Sequence, residues 1–127
     1  MTQRRALSRG IRVIQLVWIA GFLVGTTTHV VDLALAGIDV YAHFPPATRL
    51  FWVSLTVLDP LTALLIALRN RAGVVLGVLV MLADVAVNWT VFATTDDFGL
   101  PGLVNQSLFC AFVLLTARPL WTHLPVE

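Results

Sequence analysis

The stretch AGVVLGVLVMLADVAVNWTVFAT, from Ala72 to Thr94, decides how this chain is read. Its 23 residues hold one charged side chain, Asp84, and apolar residues fall on every face of the helix they would form. At 1.5 Å per residue such a segment crosses about 30 Å of hydrocarbon. A helix that is apolar all round belongs either deep inside a large core or in lipid. With 127 residues, 58% of them apolar and only 12% charged, the chain is too small to bury four such segments in a core of its own. The others are Val13 to Ala36, Thr48 to Leu68 and Leu100 to Ala117, the last the shortest, with Asn105 and Gln106 inside it and Pro101 at its mouth. The expected fold is all-α, a four-helix transmembrane bundle forming one domain over residues 1–127.

Short connections join these spans. Gly37 to Ala47 contains Pro45-Pro46, Arg69-Asn70-Arg71 is a bare turn, and Thr95 to Gly99 holds Asp96 and Asp97, so none could house a second domain. Arginines collect on the side from which they need not be translocated. Arg4, Arg5, Arg9 and Arg12 precede the first span, Arg69 and Arg71 fill the middle turn and Arg118 follows the last; Arg49 alone lies opposite, with Asp39, Asp96 and Asp97. Both termini are therefore expected in the cytoplasm. The basic start and the run ending Ala34-Leu35-Ala36 have the outline of a signal peptide. The run is longer than a signal core and carries His29 and Asp32, so an uncleaved signal-anchor is expected. Composition and the use of arginine without lysine suggest a bacterial inner membrane, crossed several times.

Several functions are excluded at once. A net charge of +1 gives no surface for nucleic acid, the absence of lysine removes Schiff-base chemistry, and the single Cys110 allows neither an intrachain disulfide nor an iron–sulfur cluster. Asn88-Trp89-Thr90 and Asn105-Gln106-Ser107 match the glycosylation pattern but lie within spans, beyond reach of the modifying enzyme. No phosphate loop, nucleophile elbow or paired-histidine spacing appears, so no cofactor or metal is implied.

Helices in lipid associate where small residues let backbones approach. Gly21 with Gly25 and Gly73 with Gly77 form two GxxxG stripes, making the first and third helices the best candidates for close contact, or else one stripe a homo-oligomer seam. Trp18, Trp52, Tyr41 and Trp121 fall where interfacial anchors belong. Trp89 lies deeper, beside Asn88, and faces either a pocket or lipid.

The acids inside the spans carry the functional reading. Asp32, Asp59 and Asp84 lie roughly 6, 17 and 15 Å below the outer boundary when residues are counted at 1.5 Å each. An exposed carboxylate there costs at least about 2.5–3.5 kcal/mol. His29 with Asp32 (i,i+3), Asp84 with Asn88 (i,i+4), and Thr56, Asp59 and Thr62 each share a helix face, and Asn105 and Gln106 come to a similar depth. If these faces turn inward, they enclose a polar pocket open toward the outside. Pro60 deprives the Thr56 carbonyl of its usual partner, so a bend is expected beside Asp59. With no lysine or arginine in the spans, three carboxylates cannot all stay ionised, and His29 is the one neighbour able to carry a positive charge, supported by Asp32. His29, Asp32, Asp59, Asp84, Asn88, Asn105 and Gln106 are the candidates for binding a ligand or carrying a proton. The competing role for each is structural: Asp32 as a wet helix-end residue, the others as hydrogen-bonding links between helices.

His29 with Asp32, Asp59-Pro60, and Asp84 with Asn88 and Trp89 place acids in three of four spans, and in this the chain resembles the EXPERA superfamily of four-helix sterol isomerases and sterol-binding receptors. That resemblance carries no catalytic assignment across; an isomerase would need an acid and a base over an apolar substrate, for which His29 and an aspartate are the candidate pair. The small multidrug transporters are similar in length and layout, but their essential acid lies near the start of the first helix, where this chain has Gln15. Three classes of function follow: binding or transport of a small cation, amine or lipid-like molecule; an isomerase; and a structural subunit. So small a chain favours binding or assembly over catalysis. The arginine pattern itself is testable. Reporter fusions after residue 127 and in the turn 69–71 should show cytoplasmic activity, and a fusion at Ala42 should show the opposite. The reverse pattern would invert the bundle.

Overall fold

The computed structural model describes residues 6–96 and 99–126, in which the chain forms α1 (Arg9–Ala36), α2 (Pro46–Ala67), α3 (Arg71–Thr94) and α4 (Leu100–His123), with a single 3-10 turn at Gly37–Asp39. There is no strand among these residues, and all four helices are long and apolar enough to cross a membrane. Arg4, Arg5 and Asp97, on which part of the orientation expectation rests, lie outside the described residues.

Local chemistry sets the helix ends. Ser8 accepts the Ile11 N–H at the start of α1, and prolines stand in the first turns of α2 and α4, where a missing N–H leaves no bond unmade. α1 stops at Gly37, whose φ of 66° is readily reached only without a Cβ. α2 ends in a tighter device. Arg69 takes a left-handed backbone, φ 58°, and the N–H groups of Arg69 and Asn70 return to the carbonyls of Ile66 and Leu65 at 3.0 and 2.9 Å. Asn70 at once caps α3, its Oδ1 accepting from the Ala72 N–H at 2.8 Å. So short a link leaves α2 and α3 no arrangement but antiparallel and adjacent. α2 runs as one helix through Pro60. α4 continues to His123, past the expected end at Ala117, because Leu120 and Leu124 are buried against the bundle and hold the turns around Pro119.

α1 packs on α2, α2 on α3 and α3 on α4, and α4 closes back on α1. The ring gives the bundle a basic end, with the start of α1, the end of α4 and Arg9, Arg12, Arg69, Arg71 and Arg118, and a loop end where the two longer connections begin and end. It also corrects an expectation. α1 and α3 sit on a diagonal and their backbones do not meet, since short connections keep consecutive helices side by side. The glycines serve other contacts. A methyl on Gly73 would stand 2.9 Å from the Ile66 backbone nitrogen of α2, the space above Gly21 holds the Phe109 ring of α4, and Gly77 receives the edge of Trp18.

The basic end is tightly filled. Trp18, Phe22, Ile66, Val113 and Leu120 are fully buried. The Trp18 indole donates to Thr116 Oγ1 at 2.8 Å, so this residue is not the interfacial anchor expected but a core link between α1 and α4. Gln15 donates to the Ile66 carbonyl at 3.0 Å, supplying a partner at the end of α2. Arg71 clasps the far terminus: its Nε donates to the Leu124 carbonyl at 3.2 Å, and its guanidinium lies 5.1 Å from the centre of the Trp121 ring. Outward faces carry exposed leucine and valine on all four helices, among them Leu35, Leu64, Leu79 and Leu115, a larger apolar surface than water tolerates.

Gly73→Ala should lower unfolding stability in mixed micelles by about 1–3 kcal/mol, because a backbone atom cannot step aside. Gly102→Ala, which meets open space, should be close to neutral.

Candidate functional site

The helix faces predicted to turn inward do so, and they enclose two adjoining cavities in the loop-end half of the bundle. The larger, about 530 Å³, has Thr28 and His29 of α1, Asp59 of α2, Asp84 of α3, and Asn105 and Gln106 of α4 around an apolar floor of Phe22, Met81 and Phe109. The smaller, about 240 Å³, lies nearer the loop end and adds Asp32, Asn88, Tyr41, Phe44 and Trp52. Thr28, His29 and Gln106 border both. All seven candidate residues therefore line one cavity or the other.

Between the cavities runs a polar network centred on Asn88, which is 1% exposed. Its Nδ2 donates to Asp84 Oδ1 at 3.0 Å and to Gln106 Oε1, while its Oδ1 accepts the Trp52 indole N–H at 2.9 Å. One amide thus ties α2, α3 and α4 together. In low dielectric each of these groups would be costly to leave unpaired, which makes the network a strong constraint on how the helices assemble.

Asp59 is the exception. It is 6% exposed, lines the larger cavity, and its carboxylate accepts no hydrogen bond from any described residue. The carboxylate reaches toward α1, where a Cβ on Gly25 would stand 2.5 Å from Oδ2. Gly25 is thus the residue that lets an acid from α2 occupy the interior. No described residue donates to Asp59, and because no fully enclosed side-chain oxygen among the described residues lacks a partner, its carboxylate is open to the cavity, whereas Asp84 has Asn88.

His29 and Asp32 share a face as expected but do not meet as a pair. The Tyr41 hydroxyl stands between them, donating to Asp32 Oδ2 at 3.0 Å and lying 3.4 Å from His29 Nδ1. Burial and the hydrogen bond to Asp32 push the Tyr41 phenol well above its ordinary range, so it remains a donor. Tyr41 and Phe44 pack edge-on against Trp52, ring centres 5.0 and 4.8 Å apart, and roof the smaller cavity. Tyr41 and Trp52 were expected as interfacial anchors, yet both belong to the site. The signal for Trp52 was present: Trp52, Thr56 and Asp59 follow i, i+4, i+7, a single helix face. Trp89 lines neither cavity; it is exposed, and its N–H donates to Ser107 Oγ at 3.0 Å. Thr26, Thr27 and Thr28 each bond back to the carbonyl four residues earlier.

Among the described residues no three histidine, cysteine, aspartate or glutamate side chains are grouped to hold a metal ion. No protein-family model, curated protein or solved structure matches the chain. The functional reading therefore rests on the geometry of the two cavities.

Asn88→Leu should destabilise the fold by about 1–3 kcal/mol, because Trp52 and Asp84 lose their shared partner. Combining it with Trp52→Phe should cost clearly less than the sum of the two single changes in equilibrium unfolding, the signature of a direct coupling.

Proposed function

We propose that the chain is a multi-pass membrane protein that binds or carries a small cation, amine or lipid-like ligand in the larger cavity. Asp59 is the primary charge partner and Asp84 a second. In this reading the protein lies in a bacterial inner membrane with both termini in the cytoplasm, which turns the loop end and the smaller cavity outward. One observation carries it: Asp59 is a buried carboxylate facing an open volume with no protein group to answer it. A cavity of this size, mostly apolar with a few convergent polar groups, is the usual form of a small-molecule site. His29, Asp32 and Tyr41 form a polar route between the loop end and the acids, suited to admitting water or a proton.

A structural reading is favoured by a different observation, the Asn88 network, whose bonds are spent on holding helices together. The two can be separated. Butylamine titrated calorimetrically into the protein in phosphatidylcholine nanodiscs should bind wild type, and Asp59→Asn and Asp84→Asn should each weaken it tenfold or more with the unfolding midpoint nearly unchanged. Gly25→Ala, which places a methyl on the Asp59 carboxylate, should weaken it several-fold. Loss of folded protein in the asparagine variants would support an interhelical lock instead, and turnover of an apolar ring substrate abolished by changing His29 would support an isomerase.

A further inference from the structure

The walls of the larger cavity differ sharply in exposure. Its α2 and α3 side, Asp59, Met81 and Asp84, is buried. Its α1 and α4 side includes Val24, 67% exposed, together with Gly102 and Asn105, also exposed on the outer surface of the bundle. Residues that line a cavity and also face outward mark where it reaches the surface, and here they flank the seam between α1 and α4. The contacts that join these helices lie toward the basic end: the Trp18 to Thr116 hydrogen bond, and the Phe22 and Phe109 rings with centres 5.6 Å apart. Beyond them, Gly25 and Thr28 on one side and Gly102 and Asn105 on the other border open volume. A side chain at Gly102 would meet nothing within 4 Å. Asn105, on a helix long and apolar enough to span a membrane, makes no hydrogen bond among the described residues.

We infer that the cavity opens sideways to the lipid phase through the cleft between the loop-end halves of α1 and α4, and that its ligand is a single-tailed amphiphile with an amine head. This rests on the proposed role of Asp59 as charge partner. An ammonium group supplies both the charge and the three donors that the carboxylate lacks. The apolar path from the floor at Phe22 and Phe109 to Val24 at the mouth suits an alkyl tail leaving toward lipid. Asn105 stands at the mouth, where a polar head must pass. No arginine lines the cavity, so a phosphate beside the amine would face two aspartates with His29 alone to answer it. The ligand is therefore a phosphate-free amine and not an aminophospholipid. Access by the loop end is narrower, roofed by Tyr41, Phe44 and Trp52.

The probe for this is dodecylamine carrying a diazirine in mid-tail, photolysed with the full chain in phosphatidylcholine vesicles and mapped by peptide mass spectrometry. Labelling should concentrate on α1 around Val24 and on α4 around Gly102 and Asn105, and excess dodecylamine should suppress it. Gly102→Trp should reduce it at least fivefold with the unfolding midpoint nearly unchanged, because the indole fills the mouth. If Gly102→Trp fails to fold, Val24→Trp closes the same mouth from a position that already faces outward. Butylamine binding that depends on Asp59, combined with labelling elsewhere or indifferent to these plugs, would overturn the lateral opening and leave the proposed function standing. Absence of butylamine binding, or indifference to Asp59→Asn, would overturn both. Labelling should be unchanged when phosphatidylethanolamine is added to the vesicles. Competition by that lipid would overturn the assignment to a phosphate-free amine.

Discussion

Everything in this bundle depends on what a polar side chain must find when water is scarce. The helices are apolar on nearly every face, so their few polar groups have only one another, and they meet where four inward stripes converge. Asn88 shows the constraint satisfied: a single amide answers an indole, a carboxylate and a second amide, and in doing so fixes the register of α2, α3 and α4. Asp59 shows it left open. The same chain that supplies Asn88 with three partners supplies Asp59 with none, and clears α1 of a side chain at Gly25 to make room for it. That contrast separates the residues that build the bundle from the one on which the proposed ligand site rests.

Much of this was legible in the sequence. Four spans follow from length and hydropathy alone, because an apolar run of some 20 residues has few other fates. Convergence of His29, Asp32, Asp59, Asp84 and Asn88 follows from i,i+3 and i,i+4 spacing, provided each polar pair faces inward, while Asn105 and Gln106 are placed by depth alone. What misled was position without facing. Trp18 and Trp52 lie near span ends, where tryptophan commonly anchors to headgroups, but each also falls on its helix's inner stripe: Trp18 with Phe22 and Gly25, Trp52 with Thr56 and Asp59. The stripe prevailed, because burying the large ring and satisfying its N–H with Thr116 or Asn88 fills the interior better than smaller residues would. Tyr41 reads from sequence only as an interfacial anchor, since its place over the site depends on how the connection after α1 folds back over α2.

The glycine stripes failed as a guide for a topological reason. GxxxG reports that a helix face is thin, not which neighbour approaches it. The three-residue turn between α2 and α3 already implied that consecutive helices would be side by side, which puts α1 and α3 on a diagonal. The thin faces then serve several partners at once: backbone against backbone at Gly73, a phenyl ring at Gly21, an indole at Gly77 and a carboxylate at Gly25.

The clasp of Arg71 on Leu124 and Trp121, together with the Trp18 to Thr116 bond, has a mechanical consequence for α4. Fastened to α1 only near the basic end, and held toward the loop end by α3 alone through Gln106 and Ser107, it can swing against α1 as a lever with its fulcrum near Thr116. From Thr116 to Asn105 the lever arm is roughly 16 Å at 1.5 Å per residue, so a tilt of about 5° moves the tip by roughly 1.4 Å. Rocking of that size, harmless at the pivot, would widen or pinch the gap beside Val24, and the bonds of Gln106 to Asn88 and of Ser107 to Trp89 are what oppose it.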